Sequence, residues 1–113
     1  MEGGKAMINN EMDPIIVNMA EEIVKFCSPF QIFLVSKKTD RKGNITSFKL
    51  CIVVADSYQD HNALESDILI NTECPVPCDL IVYNISDWNE CIDDDCTFAY
   101  RVDNEGEIVY EQR

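Results

Sequence analysis

The stretch Ser47-Phe48-Lys49-Leu50-Cys51-Ile52-Val53-Val54-Ala55 decides the fold. It is apolar at nearly every position, rich in β-branched residues, and too short for a helix. A strand with one wet face alternates apolar and polar residues; this one does not, so both of its faces are expected to be covered. Upstream, Asp13-Pro14 sets an N-cap carboxylate before a proline at the first helical position, and Ser28-Pro29 stops that helix. Between them Ile16, Met19/Ala20, Ile23 and Phe26/Cys27 recur at helical spacing. Phe30 to Val35 reads as a buried strand, and the segment 37–46, with Gly43-Asn44, as a loop. Downstream, Asp60 to about Asn71 is a short amphipathic helix with Ala63/Leu64 and Ile68/Leu69 inward, broken off before Pro75 and Pro77. Asp79 to Tyr83 is a strand. Ser86-Asp87 opens a helix through Trp88 and Ile92. Asp95 caps another from Phe98 to Val102, closed near Gly106, and Ile108-Val109-Tyr110 is a last strand.

The order α-β-β-α-β-α-α-β predicts an α/β (α+β) domain: a small mixed sheet of three to four strands with helices packed against it. One domain over 12–113, preceded by a flexible tail over 1–11, is what 113 residues with 46% hydrophobic content allow. No apolar run approaches the roughly 18–20 residues of a membrane span, and no basic-then-apolar leader is visible, so a cytoplasmic location is expected.

Charge is unevenly spread. The chain carries a net −12, which disfavours binding to duplex nucleic acid. Residues 37–49 nevertheless hold five basic groups (Lys37, Lys38, Arg41, Lys42, Lys49) against Asp40 alone, a net of +4. Residues 50–113 hold two basic against 15 acidic groups.

Six cysteines occur without a secretory context, and reduced thiols are the expected state. Cys27 and Cys51 sit in apolar runs as core residues. Cys74 and Cys78 are separated by three residues and Cys91 and Cys96 by four, spacings that also admit a four-thiolate zinc site. His61, the single histidine, has no second histidine to share a metal and is expected to face solvent at a helix start.

The C-terminal third, Cys78-Asp79-Leu80-Ile81-Val82-Tyr83-Asn84, then Ser86-Asp87-Trp88-Asn89-Glu90, Thr97-Phe98-Ala99-Tyr100-Arg101 and Glu105-Gly106-Glu107-Ile108-Val109-Tyr110-Glu111, resembles the minimal bacterial nucleotidyltransferase domain, a small relative of the DNA polymerase β-type fold. With the strands Phe33–Ser36 and Ser47–Asp56, the resemblance covers roughly residues 12–112. It implies a Gly-Ser at the end of the first strand for phosphate, and a Ser-Asp-x-Asp opening the second. Strand residues two apart share a face, so such a pair holds divalent cations, which neutralise the attacking and leaving oxygens. A third carboxylate completes the set.

Aligned this way, Phe48 and Leu50 stand where the two aspartates belong, Val35 (or, after a one-residue shift, Ser36 itself) stands at the glycine position, and only Asp79 matches the third carboxylate. The pair's absence predicts loss of metal-dependent transfer, no Mg²⁺ cofactor, and a cleft turned into core or an apolar contact patch. Ser36, Lys37, Lys38, Arg41 and Lys42 remain as candidate ligands of an anion, since side-chain cations neutralise phosphate as a metal does. The alternative for the run is a solvated hairpin. Three functions follow. The first is an inactive nucleotidyltransferase-like module that binds a protein, either a second copy or the helical partner that the resemblance implies, with Phe30, Trp88 and Tyr100 as spare apolar residues. The second is a metal-independent nucleotide or anion binder. The third is an active enzyme with a rearranged site drawn from Asp79, Asp56 and Asp40.

Overall fold

The structure, a computed structural model, describes residues 7–58 and 60–112. Residues 1–6 of the tail expected over 1–11, Gln59 and Arg113 lie outside the described residues. In chain order the elements are β1 (Met7–Ile8), α1 (Pro14–Cys27), β2 (Gln31–Thr39), β3 (Ile45–Val54), α2 (His61–Asn71), β4 (Cys78–Asn84), α3 (Ile85–Cys91), α4 (Phe98–Glu105) and β5 (Glu107–Glu111). The sheet order is β1-β5-β2-β3-β4. Only β3 and β4 run parallel; the other neighbours are antiparallel. The expected mixed sheet with helices against it is therefore the fold.

β3 is central, and its two sides feed two cores. Phe48, Leu50, Ile52 and Val54 pack with Ile16, Met19, Ala20 and Ile23 of α1 and with Leu64 and Ile68 of α2. Cys51 and Val53 pack on the opposite side with Phe33, with Trp88 of α3, and with Ala99 and Val102 of α4. Full burial of each such Leu, Ile or Val is worth about 1.5–3 kcal/mol, so the unalternating sequence of β3 is stable only between two helical layers. Trp88 stacks on Phe33 with centroids 5.3 Å apart and meets Tyr83 edge-on at 5.4 Å. It is core, not a spare contact residue.

Local signals explain the helix ends. The Asp13 side chain accepts from the Ile15 N–H at 2.9 Å, and Ser28, in the left-handed region at φ 46°, donates its N–H back to the Val24 carbonyl. Asp60 caps α2 by accepting from the Ala63 N–H. Only Leu64 and Ile68 of α2 are buried, while Ala63 and Leu69, expected inward, face water. The cap of α4 is Thr97, whose hydroxyl accepts from the Tyr100 N–H at 3.1 Å, and not Asp95. Gly106 joins α4 to β5 where a Cβ would lie 2.7 Å from the Val102 carbonyl oxygen.

Two expectations change. Residues 7–11, read as tail, include β1: Met7 and Ile8 pair with Glu111 and Tyr110, and the Asn9 N–H donates to Val109. The segment 37–46, read as a loop, is half strand, with β2 continuing to Thr39, β3 starting at Ile45, and only residues 40–44 forming the turn. No helix among the described residues is long and apolar enough to cross a membrane.

Candidate anion-binding site

β2 and β3 outrun their neighbours. β5 leaves β2 at Leu34, opposite Glu107, and β4 joins β3 at Phe48. Beyond those points the two strands pair only with each other, Lys38 opposite Ser47 and Thr39 opposite Ile45. The turn is tied by Asp40, whose carboxylate accepts the Lys42 and Asn44 N–H groups at 2.8 and 3.0 Å. Those bonds, from the Asn44 N–H first, hold the Asp40 carboxyl below its ordinary value. Gly43 takes φ 86°, open to glycine at no steric cost. Arg41 and Lys42 are exposed at the tip.

At the base of this ribbon a β-bulge between Leu34 and Ser36 resets the register, so that Ser36 lies opposite Lys49. Lys49 in turn lies beside Asp79 on β4. Ser36, Lys49 and Asp79 thus form one row across three strands, and Lys38 and Ser47 form the next row outward. Because residues two apart share a face, Lys49 and Ser47 stand on the side of Cys51 and Val53. A concavity of about 210 Å³ opens at this end of the sheet, lined by Ser36, Lys37, Lys38, Ser47, Phe48, Lys49, Pro77 and Asp79. Lys37 also borders a second hollow beside Asp13, Ile16 and Leu34 on the α1 side.

Two hydroxyls and two ammonium groups therefore share one side of the sheet with a single carboxylate. Among the described residues the ion pair within 4.0 Å is Glu22–Lys25 on α1, so the cations of this row are not spent on Asp79. A local excess of positive charge in a chain of net −12 favours an anion with several acceptor oxygens.

The sequence-predicted residues divide accordingly. Ser36, Lys37, Lys38 and Asp79 come together; Arg41 and Lys42 remain at the tip. Phe48 and Leu50, 3% and 0% exposed, face α1 and α2. Asp79, the neighbour of Lys49, faces the other side of the sheet, so the three positions aligned with metal-binding aspartates do not converge. Nor do Asp40, Asp56 and Asp79. Asp40 is at the ribbon tip, and Asp56 follows the far end of β3, on the order of 20 Å from Lys49 at the usual rise per residue. There the Asp56 carboxylate accepts the Ser86 hydroxyl and, at 3.0 Å, the Ser86 N–H. These bonds hold its carboxyl below the ordinary value.

The four cysteines at zinc-like spacings also stay apart. Cys74 and Cys78 pack toward the α1 core and Cys91 toward the Trp88 core, on opposite sides of the sheet. All six thiols are free. Asp94, Asp95 and Cys96 are the one group of three metal-donor side chains within reach of one another among the described residues, and all three are exposed. His61 is half-buried, with its Nε2 enclosed and without a hydrogen-bond partner among the described residues, not the solvent-facing group expected.

Lys49 and Ser47 are the residues that sequence reading missed. Their signal was the polar alternation Ser47-x-Lys49 at the open end of an otherwise apolar strand. No protein-family model matches this chain, and neither the curated proteins nor the solved structures compared with it contain a match.

Proposed function

We propose that this chain is a nucleotidyltransferase-like domain that has lost nucleotide transfer and binds a phosphate-bearing anion, such as a nucleotide, without a metal. The observation that carries the reading is Lys49 standing between Ser36 and Asp79. An ammonium group there supplies fixed positive charge beside the one carboxylate of the row, and it repels divalent ions from that carboxylate. Ser36 and Ser47 donate hydroxyl hydrogens to phosphate oxygens, and Lys38 adds a second charge-assisted bond. Asp79 accepts a hydroxyl or amino hydrogen from the same ligand. Chemistry is not part of the reading, because one carboxylate holds no metal pair and no other group here activates a nucleophile.

The test is a thermal-shift titration with ATP, CTP, GTP, UTP and pyrophosphate, each with Mg²⁺ and with EDTA. A ligand at 100 times its Kd adds about 2.7 kcal/mol of stability. Stabilisation in EDTA that is lost in Lys38→Ala plus Lys49→Ala supports the reading. Stabilisation that requires Mg²⁺ overturns it in favour of an enzyme.

A protein-interaction role is the second reading. Burial of Phe48, Leu50 and Trp88 removes part of the basis for it, but Phe30 and Tyr100, expected as spare apolar residues, are exposed, as are Phe26 and Ile70.

A further inference from the structure

The concavity at the base of the ribbon has room for phosphates and not for a base. Its volume of about 210 Å³ falls below the roughly 300–1,000 Å³ of pockets that enclose drug-sized ligands. Phe48 is the one aromatic residue of the segment 36–49 and is buried. The exposed large hydrophobics, Phe26, Phe30, Leu69, Ile70, Tyr100 and Ile108, all lie outside that segment. A base brought here finds no aromatic face, the platform on which single-stranded nucleic acids are held.

Cations, by contrast, continue past the concavity. From the row of Ser36 and Lys49 the ribbon runs outward through Lys37 and Lys38 to Arg41 and Lys42 at the tip, all four exposed. Lys37 borders both the concavity and the hollow on the α1 side. Ser36 and Arg41 are five residue steps apart, at most about 17 Å, and that length of ribbon carries all five basic groups of residues 37–49. Asp40 is the one acidic group of the segment, and its carboxylate is taken up by the Lys42 and Asn44 N–H groups. Past the ribbon the sign reverses, since residues 50–113 hold two basic against 15 acidic groups.

We infer that the ribbon binds linear inorganic polyphosphate, with one stretch of the chain in the concavity and the next phosphates running along Lys38 to Arg41 and Lys42. The inference rests on the anion site proposed above and names its ligand as a polymer. Phosphates joined by single bridging oxygens carry charge more densely than a nucleic acid backbone, where a sugar stands between them. A dense row of cations on a short ribbon matches that density. Polyphosphate also has no base, and so needs no stacking face. The acidic remainder of the domain bounds the site: a chain that outruns the ribbon meets repulsion or water and gains nothing further.

The test is calorimetric titration in EDTA at about 0.15 M salt, where distant charges are screened. The probes are tripolyphosphate, fractionated inorganic polyphosphate longer than the ribbon, and oligouridylate of matched charge. The long polyphosphate is expected to bind about tenfold or more tightly than tripolyphosphate, and more tightly than oligouridylate. Arg41→Ala plus Lys42→Ala, at exposed positions remote from both cores, is expected to remove most of that gain. Lys38→Ala plus Lys49→Ala is expected to weaken both polyphosphates. Tripolyphosphate binding with no gain from length overturns this inference and leaves the anion site standing. So does a gain that Arg41→Ala plus Lys42→Ala leaves intact. Oligouridylate bound as tightly as polyphosphate overturns it in favour of single-stranded nucleic acid. Silence with both polyphosphates removes the anion site itself, and the inference with it.

Discussion

Lys49 and Asp79 are register neighbours on the parallel strands β3 and β4, and that pairing fixes which charged groups face one another at the open end of the sheet. It puts the basic side chain of β3 and the Asp79 carboxylate on one side, and sends Phe48 and Leu50 to the other. The positions that resemble a metal-binding pair are consequently core, and the positions that face the cleft are Ser47 and Lys49. Charge at the cleft is supplied by the chain itself.

Placing an acidic pair at Phe48 and Leu50 should therefore unfold the domain and create no metal site. Phe48→Asp plus Leu50→Asp buries two carboxylates against α1 and α2, where Leu50→Ala alone is expected to cost about 2–5 kcal/mol. Circular dichroism with and without Mg²⁺ checks this. A folded double variant that Mg²⁺ stabilises contradicts the assignment of faces.

The Asp56–Ser86 contact predicts a defined pH dependence. The Asp56 carboxyl sits below its ordinary value because Ser86 bonds its charged form, hydroxyl first and N–H second. A carboxyl depressed in the folded state stabilises fully above its unfolded value of about 3.9, and that contribution fades as pH falls through the folded value. Asp56→Asn should thus lower Tm at neutral pH, and the gap from the parent protein should close as pH drops below about 4. A gap that is constant with pH would mean the charge contributes nothing.

Thiol reactivity should follow the two cores. Burial pushes Cys27 up to about 11 and Cys51 up to about 12, and burial, then the neighbouring Cys74, pushes Cys78 up to about 12. Little thiolate forms at these positions near neutral pH, and thiolate is the reactive species. Iodoacetamide at mildly alkaline pH should label exposed Cys96 first, label part-buried Cys78 more slowly, and leave Cys27 and Cys51 unmodified until denaturant is added, as read by peptide mass spectrometry. Early labelling of Cys51 contradicts a closed core beneath Trp88.

Much of the fold was legible because its signals are local. Asp13-Pro14 announced α1 through cap chemistry, and the unalternating run of β3 announced two covered faces. β1 escaped because two residues carry no period, and its pairing with β5 is a contact across the whole chain. The ribbon escaped because Lys37, Lys38 and Thr39 have no apolar alternation; pairing with Phe48, Ser47 and Ile45 makes them strand. Thr97 displaced Asp95 as cap because the Asp94 side chain ties the preceding turn to the Cys96 N–H. The candidate site was half legible. Ser36, Lys37 and Lys38 stood out as a charge anomaly, but the membership of Lys49 depends on inter-strand register, and a slip of one residue would turn it to the opposite face.

The most direct measurement is a calorimetric titration of the protein with tripolyphosphate in EDTA, repeated with Lys49→Ala. Binding without metal is predicted, weakened about tenfold or more by the substitution, since a charge-assisted hydrogen bond is worth about 1.5–3 kcal/mol. No heat in EDTA, or binding that Lys49→Ala leaves unaltered, would contradict the account.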